Sequence, residues 1–248
     1  MSKSVSVLVT GSSGRIGRAA VAELLRRGHA VRGFDLTPTP GLRDCMTGDL
    51  SDRGALDRAM ENVECAIHLA ATPDDADFLA SLLPNNVTGL FHVMEAARCA
   101  GVRRMVLASS GQVNWWQQAT GPFPIRPEDP VSPKAWYAAT KMFMESAGRT
   151  YVEMHGMSVI VARLGWCPRT PEQVAEIAAS ELFRDVYLSP GDAGRFFACA
   201  VEAAPEVRHA IVYATSRALV QARFDLSAAE KMLGYVPLES WPQGSMDF

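Results

Sequence analysis

Apolar residues along the first two thirds of the chain switch repeatedly between short β-branched runs and helical spacing. Val5 to Thr10 is a strand-like run that breaks at Gly11. From Arg15 to Arg27 the apolar positions Ile16, Ala19, Ala20 and Leu24 share one helical face, and Gly28 closes the helix. The same reading predicts strands at 30–34, 43–47, 63–70, 102–109 and 157–164, and helices over 53–60, 87–100 and 133–155. Residues 111–133, rich in Pro, Gly and Trp without a period, predict a long functional loop. Strands that alternate with helices call for an α/β fold, a doubly wound, mostly parallel Rossmann sheet covered on both faces. After residue 165 the alternation weakens. Helices over 171–184 and 191–204, a strand at 210–214 and a helix near 227–233 predict a small C-terminal substrate lobe. Two units are therefore expected, 1–164 and 165–248.

The bulk numbers mainly exclude. A chain of 248 residues, 48% of them hydrophobic, supports one sizeable core. Lys and Arg total 24 against 27 Asp and Glu, with no basic block, which argues against nucleic acid as a partner. No apolar run reaches the roughly 18 residues that would span a bilayer. The start, Met1-Ser2-Lys3-Ser4, lacks the apolar stretch and cleavage site of a leader. Five scattered cysteines, without a C-x-x-C pair, predict reduced thiols, a cytoplasmic protein and no metal site.

Candidate chemistry begins where the first strand runs into Thr10-Gly11-Ser12-Ser13-Gly14-Arg15-Ile16-Gly17. Gly11 permits the tight turn, Gly14 lets backbone approach a pyrophosphate, and Gly17 lets the helix pack close to the sheet. The free N–H groups of the helix start, around Ser13, Arg15 and Ile16, favour phosphate. An ordinary Gly-rich turn is the bland alternative, and the strand–turn–helix context favours a dinucleotide. Asp35 ends the second strand, 18 residues after Gly17, where a carboxylate binds ribose hydroxyls and repels a 2′-phosphate. NAD is therefore expected over NADP. Asp49 and Leu50 would touch adenine, although an Asp before a helix also serves as a cap. Further on, Tyr137 and Lys141 lie four residues apart and share a helix face. The ammonium is expected to lower the phenol's pKa and fit it to take a proton.

These pieces together resemble an extended-type short-chain dehydrogenase/reductase, the group of NAD-dependent epimerases and dehydratases. The matching segments are the three glycines, Asp35, Asp49-Leu50, His68-Leu69-Ala70-Ala71, Asn86-Val87-Thr88-Gly89, Ser109-Ser110 and Tyr137/Lys141, in family order across residues 5–164. The resemblance implies that Tyr137 is the general base or acid and that Lys141 holds the nicotinamide ribose. It implies that Ser110 binds the substrate oxygen, that Asn86 helps hold the cofactor side, and that Leu69, Ala70 and Ala71 line the cofactor channel. Ser110 as a strand-end cap, Asn86 as a helix cap and His68 as a core histidine are the plainer readings. A homodimer is also implied.

The length is similar to that of the compact uronate dehydrogenases of this group rather than the longer nucleotide-sugar enzymes. The chain departs from them in having Gly111-Gln112 after Ser110 and Trp166 after the sixth strand. Thr72, Gly111, Gln112, Trp166 and Arg169 are the candidate substrate contacts. Arg169 suits a carboxylate but also reads as a surface residue. Trp115, Trp116 and Trp166 would either wall the pocket against a sugar's apolar face or pack the loop. The expected substrate is a small, polar, sugar-like molecule. An epimerase that retains its NAD, and a non-catalytic dinucleotide sensor, are the alternative functions.

Overall fold

The computed structural model describes residues 4–247, so Met1 to Lys3, read above for a leader, lie outside it. Seven strands form one sheet among the described residues: β1 (Ser6–Thr10), β2 (Ala30–Asp35), β3 (Cys45–Thr47), β4 (Cys65–His68), β5 (Arg104–Ser110), β6 (Ser158–Leu164) and β7 (His209–Ala214). Their order is β3-β2-β1-β4-β5-β6-β7, and every pairing is parallel. This is the expected doubly wound Rossmann sheet.

Side-chain alternation divides the core into two layers. On β1, Val7 and Val9 face one layer and Leu8 the other. On β5, Val106 and Ala108 join the first, Met105 and Leu107 the second. The first layer is closed by α1 (Arg15–Arg26), α8 (Pro190–Glu202) and α9 (Ser227–Leu233), through Leu24, Phe196, Phe197 and Leu233. The second is closed by α2 (Arg53–Ala59), α3 (Gly89–Cys99) and α5 (Trp136–His155), through Leu56, Val93, Met94 and Met144. Beyond residue 164, β7 pairs with β6 and α8 packs into the first layer, while Trp166, Arg169 and Phe183 turn toward the sheet's C-terminal edge.

Three expected boundaries change. Residues 78–88 form a wide, π-wound helical segment that leads into α3, although Pro84 hides it from a helix pattern. The long loop at 111–133 instead begins with a tight turn of helix, Gly111–Asn114, and then α4 (Trp115–Thr120). The stretch 171–184 is two helices, α6 (Pro171–Ala178) and α7 (Glu181–Asp185), because the Ser180 side chain accepts the Phe183 N–H and starts a new turn.

Candidate active site

The strand order reverses between β1 and β4, and a cleft of about 480 Å³ opens above the carboxyl ends of the strands there. One end is built by the glycine turn. Gly11 has φ of +72°, and a Cβ on it would lie 2.6 Å from the Ala70 nitrogen. A Cβ on Gly17 would sit 2.1 Å from the Gly11 carbonyl oxygen, so only hydrogen allows α1 to start so close to the strand. Gly14 is the N-cap of α1 and gives it no side-chain cap, which leaves the first-turn N–H groups for a ligand. Asp35 lines the cleft at the end of β2, held by N–H groups of Ser13 (3.0 Å) and Leu36 (2.7 Å). Asp49 and Leu50 line it too. Asp49 accepts the Ser51 N–H and is not the helix cap, since Asp52 accepts the Ala55 N–H and caps α2.

The other end holds the candidate catalytic groups. Ser110 closes β5, and Tyr137 and Lys141 come from successive turns of α5. Ser110 lines the cleft with Tyr137, and the Lys141 ammonium lies 5.5 Å from the phenol ring centre. Lys141 is buried and donates to the Ala108 carbonyl at 2.9 Å. The expected low phenol pKa is not what the structure holds. Burial pushes Tyr137 up to about 12, and the Asp74 charge acts the same way, against the Ser110 hydrogen bond and the Arg169 charge. Burial also brings Lys141 down to about 8. The phenol therefore holds its proton at neutral pH, and the phenolate that could take one from a substrate grows only as pH rises.

Most of the predicted residues line this cleft: Gly11, Ser13, Gly14, Arg15, Ile16, Gly17, Asp35, Asp49, Leu50, Leu69, Ala70, Ala71, Ser110, Gly111, Gln112, Tyr137, Lys141, Trp166 and Arg169. Thr72 and Asn86 lie outside the lining. The buried Asn86 amide accepts the Thr72 N–H (2.8 Å) and donates to the Thr72 carbonyl and to Thr140 Oγ1 (3.2 Å). It therefore ties the loop after β4 to α5 between Tyr137 and Lys141. The Arg15 side chain reaches the carbonyls of Pro168, Gly244 and Ser245, which pins the C-terminal tail near the glycine turn. Trp115 lines the cleft as one of its two sequence readings expects, and Asp74, Asn85, Gln118, Phe183 and Phe224 join it without being sequence candidates. Their sequence contexts carry no period or motif, and only tertiary packing gathers them.

His68, at the end of β4, is a core histidine. Its Nδ1 meets Thr10 Oγ1 at 2.8 Å, and its Nε2 has no partner among the described residues. Burial, helped by the Lys141 charge, lowers its pKa to about 3. An unfolded histidine takes up a proton below about 6.5, whereas the folded one does not until about 3. The unfolded state therefore binds more protons between those values, and His68 removes stability as pH falls from 6.5 to 3. Urea midpoints at pH 7 and pH 4.5 are expected to differ less in His68→Gln than in the parent chain. An equal difference would refute this assignment.

A cradle that no Cβ can enter, an uncapped helix start, a carboxylate at the end of β2, and a Tyr/Lys/Ser trio at the far end define a dinucleotide-dependent oxidoreductase of the extended short-chain dehydrogenase/reductase build. The chain belongs to the NAD dependent epimerase/dehydratase family, whose model matches residues 7–166. It is 33% identical over 212 residues to L-arabinose 1-dehydrogenase (NAD(P)(+)) of Haloferax volcanii, covering 79% of this chain and 82% of that one. It is 28% identical over 239 residues to uronate dehydrogenase of Pseudomonas putida, covering 94% and 84%. Among solved structures it is similar to a mutant uronate dehydrogenase of Agrobacterium tumefaciens complexed with NAD, with a TM-score of 0.77, 25% identity, and 96% of this chain and 86% of that one covered.

Proposed function

We propose that the chain is an NAD-dependent dehydrogenase that oxidises a carbinol carbon of a small free sugar or sugar acid. The observation that carries this reading is the Ser110–Tyr137–Lys141 cluster at one end of a cleft whose other end is the glycine turn and Asp35. A dinucleotide bound along the cleft supplies the hydride acceptor. Ser110 orients the substrate hydroxyl, and Tyr137 takes its proton as the C–H hydride leaves and the C=O bond forms. Lys141 would hold the ribose hydroxyls of the bound dinucleotide beside Tyr137. Asn86 acts through the Thr72 loop and Thr140, as a positioning residue. Residues 1–164 supply the dinucleotide half of the site, and 165–248 supply its substrate wall through Trp166, Arg169, Phe183 and Phe224.

Among the described residues no helix is long and apolar enough to cross a membrane, and all five cysteines are free. The free thiols support a cytoplasmic enzyme. Exposed Phe91 on α3 and Phe143 and Met154 on α5 support a homodimer that covers these helices. Light scattering that returns a monomer would remove that assignment.

Absorbance of NADH is the direct test, with aldoses, uronic acids and polyols offered in turn. Turnover on one class supports the dehydrogenase. Tightly held NAD without net reduction points to an epimerase, and NAD binding without any chemistry points to a sensor. Asp35 is expected to set the cofactor choice. Unit charges about 4 Å apart repel by about 1–4 kcal/mol between water and a protein surface. Asp35→Asn should narrow the NAD-over-NADP preference in kcat/KM by about tenfold or more. An unchanged ratio would show that Asp35 does not meet the ribose.

A further inference from the structure

The substrate end of the cleft contains a charge pair that the proposed reaction does not use. Arg169, in the loop before α6, bonds the carboxylate of Asp74, in the loop after β4. Gln173 completes the tie: its Oε1 accepts the Arg169 N–H at 2.7 Å, and its Nε2 reaches Asp74 Oδ2 at 3.5 Å. The neighbouring Asp75 accepts the Tyr137 N–H at 3.3 Å, which places this loop at the head of α5, beside the reacting phenol. Asp74 is itself at φ of +59°, a backbone state that Asp and Asn tolerate best among non-glycine residues.

The other cations of the lining are committed elsewhere. The Lys141 ammonium is buried on the Ala108 carbonyl, and the Arg15 guanidinium holds three backbone carbonyls. Lys134 stands over the Trp115 ring at 4.4 Å, outside the lining. What faces the substrate besides the pair is aromatic and amide. Trp166 and Phe183 meet edge to face at 4.8 Å, Trp115 and Phe183 lie 6.4 Å apart, and Gln112 adds an amide. Such a wall suits the apolar face of an uncharged sugar ring. A substrate carboxylate would meet Arg169 only beside the Asp74 carboxylate already paired with it, a like-charge contact.

We propose that this site selects a neutral aldose over the corresponding uronate, because Asp74 and Gln173 already occupy the Arg169 side chain and backbone. The proposal rests on the dehydrogenase reading and narrows its substrate class. Specificity is thereby set by a repulsive element, Asp74, as much as by an attractive one.

Two sugar pairs test it, D-galactose with D-galacturonate and D-glucose with D-glucuronate, each differing only in a hydroxymethyl against a carboxylate. At one pH and fixed ionic strength, kcat/KM with NAD is expected to favour the aldose by about tenfold or more. Asp74→Asn keeps the backbone state and removes the charge, and should move the aldose-to-uronate ratio toward the uronate by about tenfold. Arg169→Gln in that background should move it back. A parent chain that prefers the uronate overturns the proposal and leaves the dehydrogenase reading standing. An aldose preference that Asp74→Asn does not shift also overturns it, since another feature would then set the choice. No turnover on either pair or on any other sugar, with NAD bound, removes the dehydrogenase reading and this proposal with it.

Discussion

Tyr137→Phe is expected to lower kcat for sugar oxidation by about 10²–10⁴-fold, the usual worth of a positioned acid or base. The phenol's place explains why so small a change does so much. Tyr137 lines the cleft with Ser110 and Lys141, so Phe keeps the ring packing and removes the proton acceptor alone. NAD binding, followed by fluorescence titration, should survive, because the glycine turn and Asp35 lie at the other end. The pH profile sharpens the test. Tyr137 is held up near 12 and Lys141 down near 8, so below pH 8 the lysine stays charged while the phenolate fraction grows about tenfold per pH unit. Oxidation by the parent enzyme should therefore rise from pH 6 to 8, and the residual rate of the variant should be flat. A variant with parental kcat, or one that keeps the parental slope, would show that Tyr137 is not the base.

That high phenol pKa is also where sequence and structure part most instructively. The spacing of Tyr137 and Lys141 places them on one helix face, and the structure agrees, because i and i+4 neighbours follow from helix geometry alone. The sign of the pKa shift does not follow from spacing. It depends on how deeply the helix is packed and on Asp74, which arrives from a loop more than sixty residues earlier. The glycine turn and the parallel sheet were legible for the same local reason: Gly11 and Gly17 are required where a strand hands over to a helix, and β1, β5 and β6 carry uninterrupted apolar runs. The segment 78–88 was not legible, since Pro84 breaks the pattern and the wide winding absorbs it. Nor was α4, where the side chains of Asn114 and Gln117 hold the Pro130 carbonyl and fix a helix that propensity does not announce. Arg15 shows the limit for single residues. Its backbone belongs to the glycine turn as expected, but its side chain leaves for a tail more than two hundred residues away.

Arg163→Met is expected to destabilise the fold by about 3–5 kcal/mol, because it strands a buried carboxylate. Glu145 follows Lys141 by one helical turn, and its side chain is 8% exposed against 3% for Arg163. Its Oε1 accepts Ser109 Oγ at 2.6 Å and Arg163 Nε at 2.9 Å, and its Oε2 accepts Arg163 Nη2 at 2.8 Å. Arg163 Nη1 extends the network to Asn114 Oδ1, the Pro127 carbonyl and the Tyr213 hydroxyl, which itself donates to Asn114 at 2.6 Å. One pair thus fixes α5, the end of β5, the end of β6 and the Trp-rich segment relative to each other. Those are the elements that hold Tyr137, Lys141, Ser110 and Trp166. At about 2–4 °C per kcal/mol for a chain of this size, Tm should fall by about 6–20 °C. Replacing both partners, as Glu145→Leu with Arg163→Met, should recover part of that loss by removing the unpaired charge, since apolar pairs of similar volume often match a buried ion pair. Full recovery is not expected, because the Ser109 hydroxyl and the Pro127 carbonyl would lose their bonds to the pair, and Asn114 and Tyr213 would keep only each other of this network. Scanning fluorimetry of Arg163→Met, Glu145→Leu and the double variant gives the coupling directly. A single variant within about 1 kcal/mol of the parent would show that the network does not hold the catalytic elements in register. If the double variant regains Tm while kcat stays low, the pair's work is the placement of Ser110 against Tyr137 rather than stability as such.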